Sequence, residues 1–552
     1  MKIAIASLLL LPFAAFADPA TGALPAQSLR LPTILSDHMV LQANTADPIW
    51  GWAPPNSKIT IRFEDDAGKL IHRGSATAGP DGRWFGHLAG SAPGESGKLV
   101  ISDGAETKEI NDVVTGEVWL CGGQSNMEFN MTGVLNSHQE IASAADPGLR
   151  LFLVPHRPAL KEYDDVPGSA WAVCSPQSAA GFSAVGYYFG KHLRSALHEP
   201  VGLIGSYWGG TTAQVWTSQS GLGLVNGFQK FTDQFQQAAK SYPGGDAQYQ
   251  ADLLAYPKKI DDWNKALAEN KSYQDALAAW QDASAKANQA GKPAPPMPQP
   301  PIPRPGEPVG GGQNIASMLY NGMIAPLVPY GLKGAIWFQA DGNLGDVDEY
   351  GSLIKALIND WRAQWRRPLP FYYVEMNNMR DYPQTKPVQY NGLSLLREQQ
   401  QAALELPHTG VVCSIDVGLP VPEPHFPNKK PVGDRLAALA LNDIYHQPGL
   451  VNSPTYKSLD VEGNKIRLTF ANADGLRLMP GHPFAGFAIK GPTGDWVWAQ
   501  GDIDGQNILV WNDSVPKPVA VRYAWAANPT VSIQNGAGLP MRPFRTDTDS
   551  PH

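Results

Sequence analysis

The chain has 552 residues, enough for about three to five domains, and its 43 % hydrophobic and 17 % charged composition excludes global disorder. The formal net charge of −8 is spread along the chain. The sequence has no basic stripe, so it does not predict a groove that binds nucleic acid. The cysteines Cys121, Cys174 and Cys413 are too few for a disulfide framework and lack metal-ligand spacing, so we expect buried thiols.

The N-terminus has the pattern of a secretory signal peptide. Lys2 precedes an apolar run at residues 4–16, and Ala-Phe-Ala at 15–17 fits a cleavage site. The run is too short to span a bilayer, and no other stretch approaches the roughly 18–20 apolar residues of a membrane span. We therefore expect a signal peptide at residues 1–17, no membrane insertion, and an exported protein that is periplasmic or secreted.

Three patterns follow one another along the rest of the chain. Between residues 25 and 112, short apolar runs separated by turn residues predict an N-terminal β-sandwich. Between residues 113 and 450, continuous apolar strands alternate with helical patterns, which predicts a parallel sheet with helices on both faces. Residues 451–547 return to the β pattern and predict a C-terminal β-module. The predicted fold class is thus α/β with accessory β-modules at both ends. The continuous strands are expected at residues 118–121, 201–206, 334–338, 371–374 and 410–415.

An insertion interrupts the α/β region at residues 227–312. It begins with polar, helix-prone segments at 248–254 and 258–287, which predict a helical hairpin. It ends in a proline tract at 294–301, which must be extended. Two roles are open for this insertion: it forms a rim of the active site, or it is an addition that takes no part in it.

A serine follows the first continuous strand, in Gly-Gly-Gln-Ser-Asn-Met-Glu at 122–128. This position places Ser125 at the carboxyl edge of the sheet, where sites of such folds lie and where main-chain N–H groups can meet an oxyanion. Ser125 is therefore either a nucleophile or only the N-cap of the next helix.

A serine nucleophile needs a base, normally histidine. Among the 12 histidines, His425 lies in a proline-rich loop after the strand at 410–415, at the same edge as Ser125. The alternative is a solvated loop histidine. Two further strands are followed by candidate donors to an oxyanion, the glycines at 209 and 210 and the amide of Asn343, although a simple turn explains either segment as well. A nucleophile, a base and two donors together predict acyl transfer.

Taken together, these motifs resemble the sialate O-acetylesterase family of the SGNH-hydrolase superfamily, over nearly the whole mature chain. The matching motifs are Gly-Gln-Ser-Asn-Met-Glu at 123–128, Trp-Gly-Gly-Thr at 208–211, Trp-Phe-Gln at 337–339 with Asn343, and His425 with Asn-Lys at 428–429. The resemblance implies an SGNH-like catalytic domain that hydrolyses O-acetyl esters on carbohydrate.

The resemblance also implies roles for individual residues. Ser125 is the expected nucleophile, His425 the base, and Ser125, Gly210 and Asn343 the oxyanion hole. The expected substrate contacts are Gln124, Trp208, Gln339 and Asp341. Trp216 and Trp337 are either further sugar contacts or core residues.

The sequence departs from the family pattern in two places. Ala-Asp-Gly-Asn at 340–343 replaces Gly-Glu-Ser-Asn, which keeps the asparagine in an altered turn. Glu-Pro-His at 423–425 replaces an aspartate close before the histidine. The acid that orients His425 is therefore open between Glu423 and Asp416, and a Ser–His dyad held by a main-chain carbonyl is the third alternative.

We expect two-step acyl transfer without a metal or organic cofactor, acting on an acetylated oligosaccharide or polysaccharide. The acetylated sugar is either sialic acid or a plant hemicellulose such as xyloglucan or xylan. Export and two β-modules favour the hemicellulose. A non-catalytic carbohydrate-binding protein on the same scaffold is the alternative function.

Overall fold

The computed structural model describes residues 28–289, 292–308 and 313–548, so the predicted signal peptide at 1–17 lies outside the described residues. The strands are β1 Val40–Gln42, β2 Asp47–Trp52, β3 Lys58–Glu64, β4 Leu70–Thr77, β5 Arg83–Leu88, β6 Ser96–Ser102, β7 Thr107–Gly123, β8 Asp146–Leu153, β9 Trp171–Cys174, β10 Val201–Tyr207, β11 Gly334–Phe338, β12 Phe371–Glu375, β13 Thr409–Cys413, β14 Thr455–Glu462, β15 Lys465–Ala471, β16 Arg477–Leu478, β17 Phe487–Lys490, β18 Val497–Trp498, β19 Gln500–Asp504, β20 Asn507–Trp511, β21 Ala520–Tyr523, β22 Ile533–Gln534 and β23 Phe544–Arg545. The helices are α1 Ser125–Glu128, α2 Ser137–Ala142, α3 Pro176–Ala180, α4 Ala184–Leu197, α5 Gln219–Gly223, α6 Gln229–Lys240, α7 Gly245–Glu269, α8 Lys271–Gln289, α9 Tyr350–Trp365, α10 Gly392–Gln400 and α11 Lys430–Asp443.

A parallel sheet forms the centre of the fold, with the strand order β13-β12-β11-β7-β10-β8-β9. The pairings from β13 to β8 are parallel, and β9 joins β8 antiparallel at the edge. The five continuous strands expected from the sequence are β7, β10, β11, β12 and β13. The sequence did not predict β8, because it begins with Asp-Pro-Gly, a turn signal, and only its second half is apolar and buried.

Helices cover both faces of this sheet, as the sequence predicted. Along β11, Trp337 packs on one face against Trp361 of α9, with ring centroids 5.7 Å apart. Its neighbours Ile336 and Phe338 belong to the core on the other face, together with Phe189 of α4. Successive side chains of a strand point to opposite faces, so a strand buried on both sides must be apolar throughout. The prediction from the continuous apolar runs, that helices cover both faces of the sheet, is therefore confirmed.

The N-terminal module and the α/β domain share one strand. The 17-residue strand β7 pairs with β6 through its first half and with β10 and β11 through its second half. Its burial changes from mostly exposed before Val113 to fully buried from Thr115 onward. The boundary drawn at residues 112 and 113 therefore marks a change in packing inside a strand, and no linker separates the two modules there.

The insertion contains α6, α7 and α8, followed by the proline tract. Helix α7 continues through Pro257, whereas the sequence predicted an interruption there, and it ends at Glu269 with Asn270 as its C-cap. The tract runs along the hairpin, because the indole N–H of Trp280 donates to the Pro295 carbonyl at 2.8 Å and that of Trp263 to the Ile302 carbonyl at 3.0 Å.

The C-terminal module contains two four-stranded antiparallel sheets, ordered β14-β15-β20-β19 and β18-β17-β21-β23. Buried arginines join it to the α/β domain. Arg397 of α10 donates to the carbonyls of Ala526 and Ala527 at 2.6 and 2.8 Å, and Arg542 pairs with Glu375 at the end of β12 at 2.7 Å. The module is thus fixed against the loops at the carboxyl edge of the central sheet.

Two smaller expectations concern the membrane and the cysteines. Within the described ranges, none of the helices combines the length and apolar character needed to cross a bilayer. Cys121, Cys174 and Cys413 are free and buried, as expected.

Candidate active site

Ser125 is the first residue of α1 and directly follows β7 and its terminal Gly123. The N-cap position belongs to Gln124, whose side chain makes no capping hydrogen bond. The alternative that Ser125 serves only as the helix N-cap is therefore wrong. Its side chain is half-buried at the carboxyl edge of the sheet, which leaves the hydroxyl group available to a substrate.

His425 lies in the loop between β13 and α11, and a carboxylate holds its ring. The Glu423 Oε1 atom lies 3.0 Å from His425 Nδ1 and 2.8 Å from the His425 main-chain nitrogen. This contact favours the tautomer with a proton on Nδ1, which leaves Nε2 as a base. Asp416 instead makes a two-point ion pair with Arg435, at 2.7 and 2.6 Å. The geometry thus favours Glu423 over Asp416 as the orienting acid.

The loops that carry Ser125 and His425 meet through their neighbours. Asn126 Nδ2 donates to the Pro424 carbonyl at 3.2 Å, and Asn126 Oδ1 accepts a hydrogen bond from Lys429 Nζ. These contacts join segments about 300 positions apart in the chain. In the part of the chain that the structure describes, the Ser125 hydroxyl and the His425 imidazole share no hydrogen bond. Catalytic hydrogen bonds often shorten only when substrate binds.

Lys429 is buried inside an aromatic cage beside this contact. Its Nζ lies 3.6 Å from the ring centroid of Phe426, 4.8 Å from that of Phe129 and 5.7 Å from that of Phe338. Burial holds the pKa of the Lys429 ammonium well below its usual value, and the Glu423 carboxylate opposes that shift. Rings that face a cation attract it, so the cage holds the lysine in place.

The loop after β10 brings its glycines next to Ser125. A methyl group placed on Gly209 would lie 3.3 Å from Ser125 Cβ, and Glu128 Oε2 accepts a hydrogen bond from the Gly209 N–H at 2.6 Å. Gly210 follows with φ +72°, a conformation that favours glycine. Within the described residues, the main-chain N–H groups of Ser125 and Gly210 donate to no protein acceptor. Two free donors beside a serine are what an oxyanion hole needs.

Gln124 and Asp341, expected to contact substrate, are buried and bonded to each other. Gln124 Nε2 donates to Asp341 Oδ1, and Gln124 Oε1 accepts from the Gly342 N–H at 3.2 Å. The other Asp341 oxygen accepts from Arg380 at 2.6 Å. These contacts correct the expectation: in this conformation the two side chains are buried and hold the loop after β11 against the loop that carries Ser125.

Gln339 and Asn343 are also buried. Asn343 Oδ1 accepts from the Ala213 N–H and from Gln339 Nε2, both at 2.8 Å, and Asn343 Nδ2 donates to Gln214 Oε1 at 2.8 Å. Gln339 also donates to the Thr211 carbonyl at 3.1 Å. With Asn343 at 0 % exposure, its amide does not reach substrate in this conformation, contrary to the expected role in the oxyanion hole. The two amides instead fix the segment that follows Gly210.

The tryptophans divide into one site residue and two core residues. Trp216 and Trp337 are fully buried and pack edge to face, with ring centroids 6.1 Å apart. Trp208 is half-buried and stacks on His156, with ring centroids 4.1 Å apart and an interplanar angle of 5°. His156 Nε2 lies 3.1 Å from Glu128 Oε1 and 3.1 Å from the Tyr207 carbonyl.

The sequence reasoning missed four side chains near the site: Glu128, His156, Arg380 and Lys429. Glu128 and Lys429 stand within the motifs that carried the resemblance, so their positions were visible without their contacts. His156 follows β8, a strand that the sequence did not predict because it begins with a turn signal. Arg380 follows β12 and carries φ +62°, for which the sequence holds no signal.

The assembled groups suit acyl transfer: a hydroxyl, an imidazole with an oriented ring, and two free main-chain donors. Among the described residues, no group of three or more histidine, cysteine, aspartate or glutamate side chains is placed to hold a metal ion.

Comparisons with known proteins identify acetylesterases among the relatives of this chain. No protein-family model matches the chain. The chain is 24 % identical to human sialate O-acetylesterase over 577 residues, which covers 97 % of this chain and 95 % of that protein. It is 24 % identical to the mouse sialate O-acetylesterase over 561 residues, with coverages of 93 % and 94 %. Among solved structures, a carbohydrate acetylesterase from Xanthomonas citri is 30 % identical with a TM-score of 0.73, and the match covers 94 % of this chain and 100 % of that one.

Proposed function

This chain belongs to the sialate O-acetylesterase-like family of esterases, and we propose that it releases acetate from acetylated sugars through acyl transfer by Ser125 and His425. The observation that carries the proposal is the contact of Asn126 with Pro424, which brings the residue after Ser125 against the residue before His425. Glu423 on His425 Nδ1 supports the role of that imidazole as the base.

In the first half-reaction, His425 Nε2 takes the proton from Ser125 Oγ as the oxygen attacks the acetyl carbonyl carbon. The main-chain N–H groups of Ser125 and Gly210 hold the negative oxygen of the tetrahedral intermediate. The bond between the acetyl carbon and the sugar oxygen then breaks. The imidazolium gives its proton to that oxygen, and the sugar leaves with a free hydroxyl group. An acetyl group remains on Ser125.

In the second half-reaction, water attacks the acetyl-serine while His425 Nε2 removes a proton from it. The intermediate collapses, the bond between carbon and Ser125 Oγ breaks, and the imidazolium returns the proton to Oγ. Acetic acid, which keeps the second proton of the water, leaves and ionises to acetate, and the enzyme regains its starting state. In this proposal the buried amides of Gln339 and Asn343 position the loop after β10 and take no proton.

For the substrate, we propose an acetylated plant hemicellulose such as xyloglucan or xylan, presented as an oligosaccharide. The half-buried Trp208 ring beside the catalytic loop supports a sugar ligand, because an aromatic face with polar groups at its rim suits a pyranose ring. O-acetylated sialic acid, the substrate in the names of the mammalian relatives, is the competing outcome of the test. The signal-peptide pattern that the sequence predicts at residues 1–17 supports export to the periplasm or medium, which is compatible with a glycan from outside the cell.

The experiment compares acetate release from acetylated hemicellulose oligosaccharides and acetylated sialosides, followed by mass spectrometry of the glycan products. We expect loss of acetyl groups from the hemicellulose, and no loss with Ser125→Ala. Ser137→Ala, at the first position of the short helix α2, is the matched control and should retain full activity. A preference for sialosides would mean that O-acetylated sialic acid, and not hemicellulose, is the substrate. Full activity of Ser125→Ala would refute the mechanism.

A further inference from the structure

Two groups of exposed or half-buried side chains lie on either side of Ser125 at the carboxyl edge of the sheet. The His156 flank consists of His156 and Trp208, in the loops after β8 and β10. The Arg380 flank consists of Arg380, Tyr382 and Tyr390, in the loop after β12. We propose that both flanks are subsites of one glycan-binding cleft, so that the substrate chain extends past the acetylated sugar on both sides. This inference rests on the proposed esterase function and adds the length and character of its substrate.

The His156 flank presents a flat, polar-edged surface. Its two rings are parallel within 5°, and the His156 side chain is 40 % exposed. Its Nε2 is engaged by Glu128 Oε1 and the Tyr207 carbonyl, each at 3.1 Å, so the ring orientation is fixed. Binding sites for small polar ligands combine such aromatic surfaces with a few placed polar groups.

This flank is coupled directly to the catalytic loop. Glu128 accepts from the Gly209 N–H through one oxygen and contacts His156 through the other. Gly209 in turn lies against Ser125. A sugar bound at the His156 flank would therefore lie beside Gly209, the residue that precedes the main-chain donor Gly210.

The insertion supports the same flank from behind. Asp246 of α7 accepts from the Leu160 N–H at 2.7 Å and from the Tyr163 hydroxyl. Gln250 Nε2 donates to the Pro158 carbonyl at 2.8 Å. These contacts fasten the loop at residues 154–166 that carries His156. Gln313, which follows the insertion in the chain, donates through its amide to the Gly209 carbonyl at 3.1 Å.

The Arg380 flank is likewise held on one side and exposed on the other. One Arg380 nitrogen pairs with the buried Asp341, while 47 % of the side chain remains exposed. Tyr382 is 67 % exposed, and Tyr390 is 48 % exposed. Asn528 of the C-terminal module makes two hydrogen bonds with this loop. Its main-chain carbonyl accepts from the Gln384 N–H, and its Nδ2 donates to the Asp381 carbonyl, each at 2.9 Å. Exposed aromatic rings on a fixed loop are suited to stacking against a ligand.

The loops that carry Arg380 and His156 leave the sheet farther apart than one sugar spans. In the strand order, β12 lies two strands from β7 on one side, and β8 lies two strands from it on the other. Neighbouring strands are about 4.8 Å apart, so the loops after β12 and β8 begin about 19 Å from each other. A ligand that touches both flanks is thus an oligosaccharide. The exposed charged side chains of the loops after β12 and β13 are of both signs, namely Arg380, Asp381 and Glu423, which favours a neutral, hydroxyl-rich chain.

The test measures kcat/KM on p-nitrophenyl acetate, an acetylated monosaccharide, and acetylated hemicellulose oligosaccharides of two to six residues. We expect the wild-type kcat/KM to rise about tenfold or more with chain length, mainly through KM. Tyr382→Ala and His156→Ala should each lower kcat/KM about tenfold more on the hexasaccharide than on p-nitrophenyl acetate. Phe85→Ala, an exposed aromatic side chain of β5 in the N-terminal module, is the control and should change neither value.

A wild-type kcat/KM that does not depend on chain length would overturn the proposal. So would a loss of kcat/KM in the variant of only one flank, or a loss that is equal on all substrates. Calorimetric titration of the Ser125→Ala variant with deacetylated hexasaccharide provides a second measurement without turnover. Binding that weakens in both flank variants supports the cleft, and undetectable binding overturns it. Failure of the esterase function itself is distinguished separately, because the wild type would then not hydrolyse p-nitrophenyl acetate.

Discussion

Asn126 Nδ2 donates a hydrogen bond to the main-chain carbonyl of Pro424, 3.2 Å away. One of these residues follows the expected nucleophile and the other precedes the expected base. The same asparagine accepts from the buried Lys429 through its other amide atom. A single side chain thus links the loop after β13 to the segment that follows β7, and this contact is the basis of the first prediction.

Removal of the Asn126 side chain should displace His425 from Ser125. We expect Asn126→Ala to lower kcat on p-nitrophenyl acetate by about 10- to 100-fold with KM little changed, because misplacement by 1 Å costs about 100-fold. Lys429→Met should act in the same direction. Asn264→Ala, on an exposed position of α7, is the control. Circular dichroism verifies folding, and a folded Asn126→Ala enzyme with wild-type kcat would refute the positioning role.

The orienting acid is tested by a pair of substitutions. Glu423→Gln should lower kcat by about 10- to 100-fold, because the carboxylate no longer stabilises the imidazolium that forms during attack. Asp416→Asn should lower the melting temperature, since it breaks the two-point pair with Arg435, but leave kcat of the folded enzyme unchanged. Steady-state kinetics and thermal unfolding of both variants decide the question. The reverse pattern would assign the role to Asp416.

The oxyanion loop is tested at Gly209. A methyl group there would lie 3.1 Å from Glu128 Oε2 and 3.3 Å from Ser125 Cβ, so the loop must move and carry the Gly210 N–H with it. We expect Gly209→Ala to lower kcat by about 10²- to 10³-fold, the usual cost of losing one oxyanion donor. Gly223→Ala, where a methyl group meets nothing within 4 Å, should be neutral. Equal kinetics of the two variants would contradict the assignment.

The N-terminal module contains a source of pH-dependent stability. Burial raises the pKa of the Asp47 carboxyl in β2 to about 8, although its Oδ1 accepts from the Gln42 N–H at 3.0 Å. The folded protein therefore binds this proton more tightly than the unfolded chain, whose carboxyl titrates near pH 4. The stabilisation is complete below about pH 4 and is lost as the pH rises toward 8.

Asp47→Asn should remove this dependence. The melting temperature of the variant should exceed that of the wild type at pH 8 to 9, and the difference should shrink toward pH 5. Asp66→Asn, at an exposed position of the same module, is the control and should follow the wild type. Differential scanning fluorimetry between pH 5 and 9 measures both. A difference that grows as the pH falls would show that the Asp47 carboxylate is ionised in the folded protein.

Polar residues show where the sequence was a poor guide to the site. Gln339 and Asn343 follow a strand at the active edge, which made them candidates for substrate contacts. They prove to be buried because Thr211, Ala213 and Gln214 cross over them. Nothing in the local sequence around residue 340 reports that crossing.

The sequence by itself determined the layout of this protein. Continuous apolar strands required a sheet buried on both faces, and the order of strands and motifs placed Ser125, Gly210 and His425 at one edge. These inferences hold because backbone geometry converts local apolar patterns into burial and strand direction.

Only the tertiary structure decided which polar side chains face a substrate. Glu423 rather than Asp416 lies on His425 because Arg435, on the following helix, engages the aspartate. His156 lies beside Trp208 because two strands pair that are separated by about fifty residues. The position of a polar side chain depends on partners far away in the sequence, and local patterns carry no information about them.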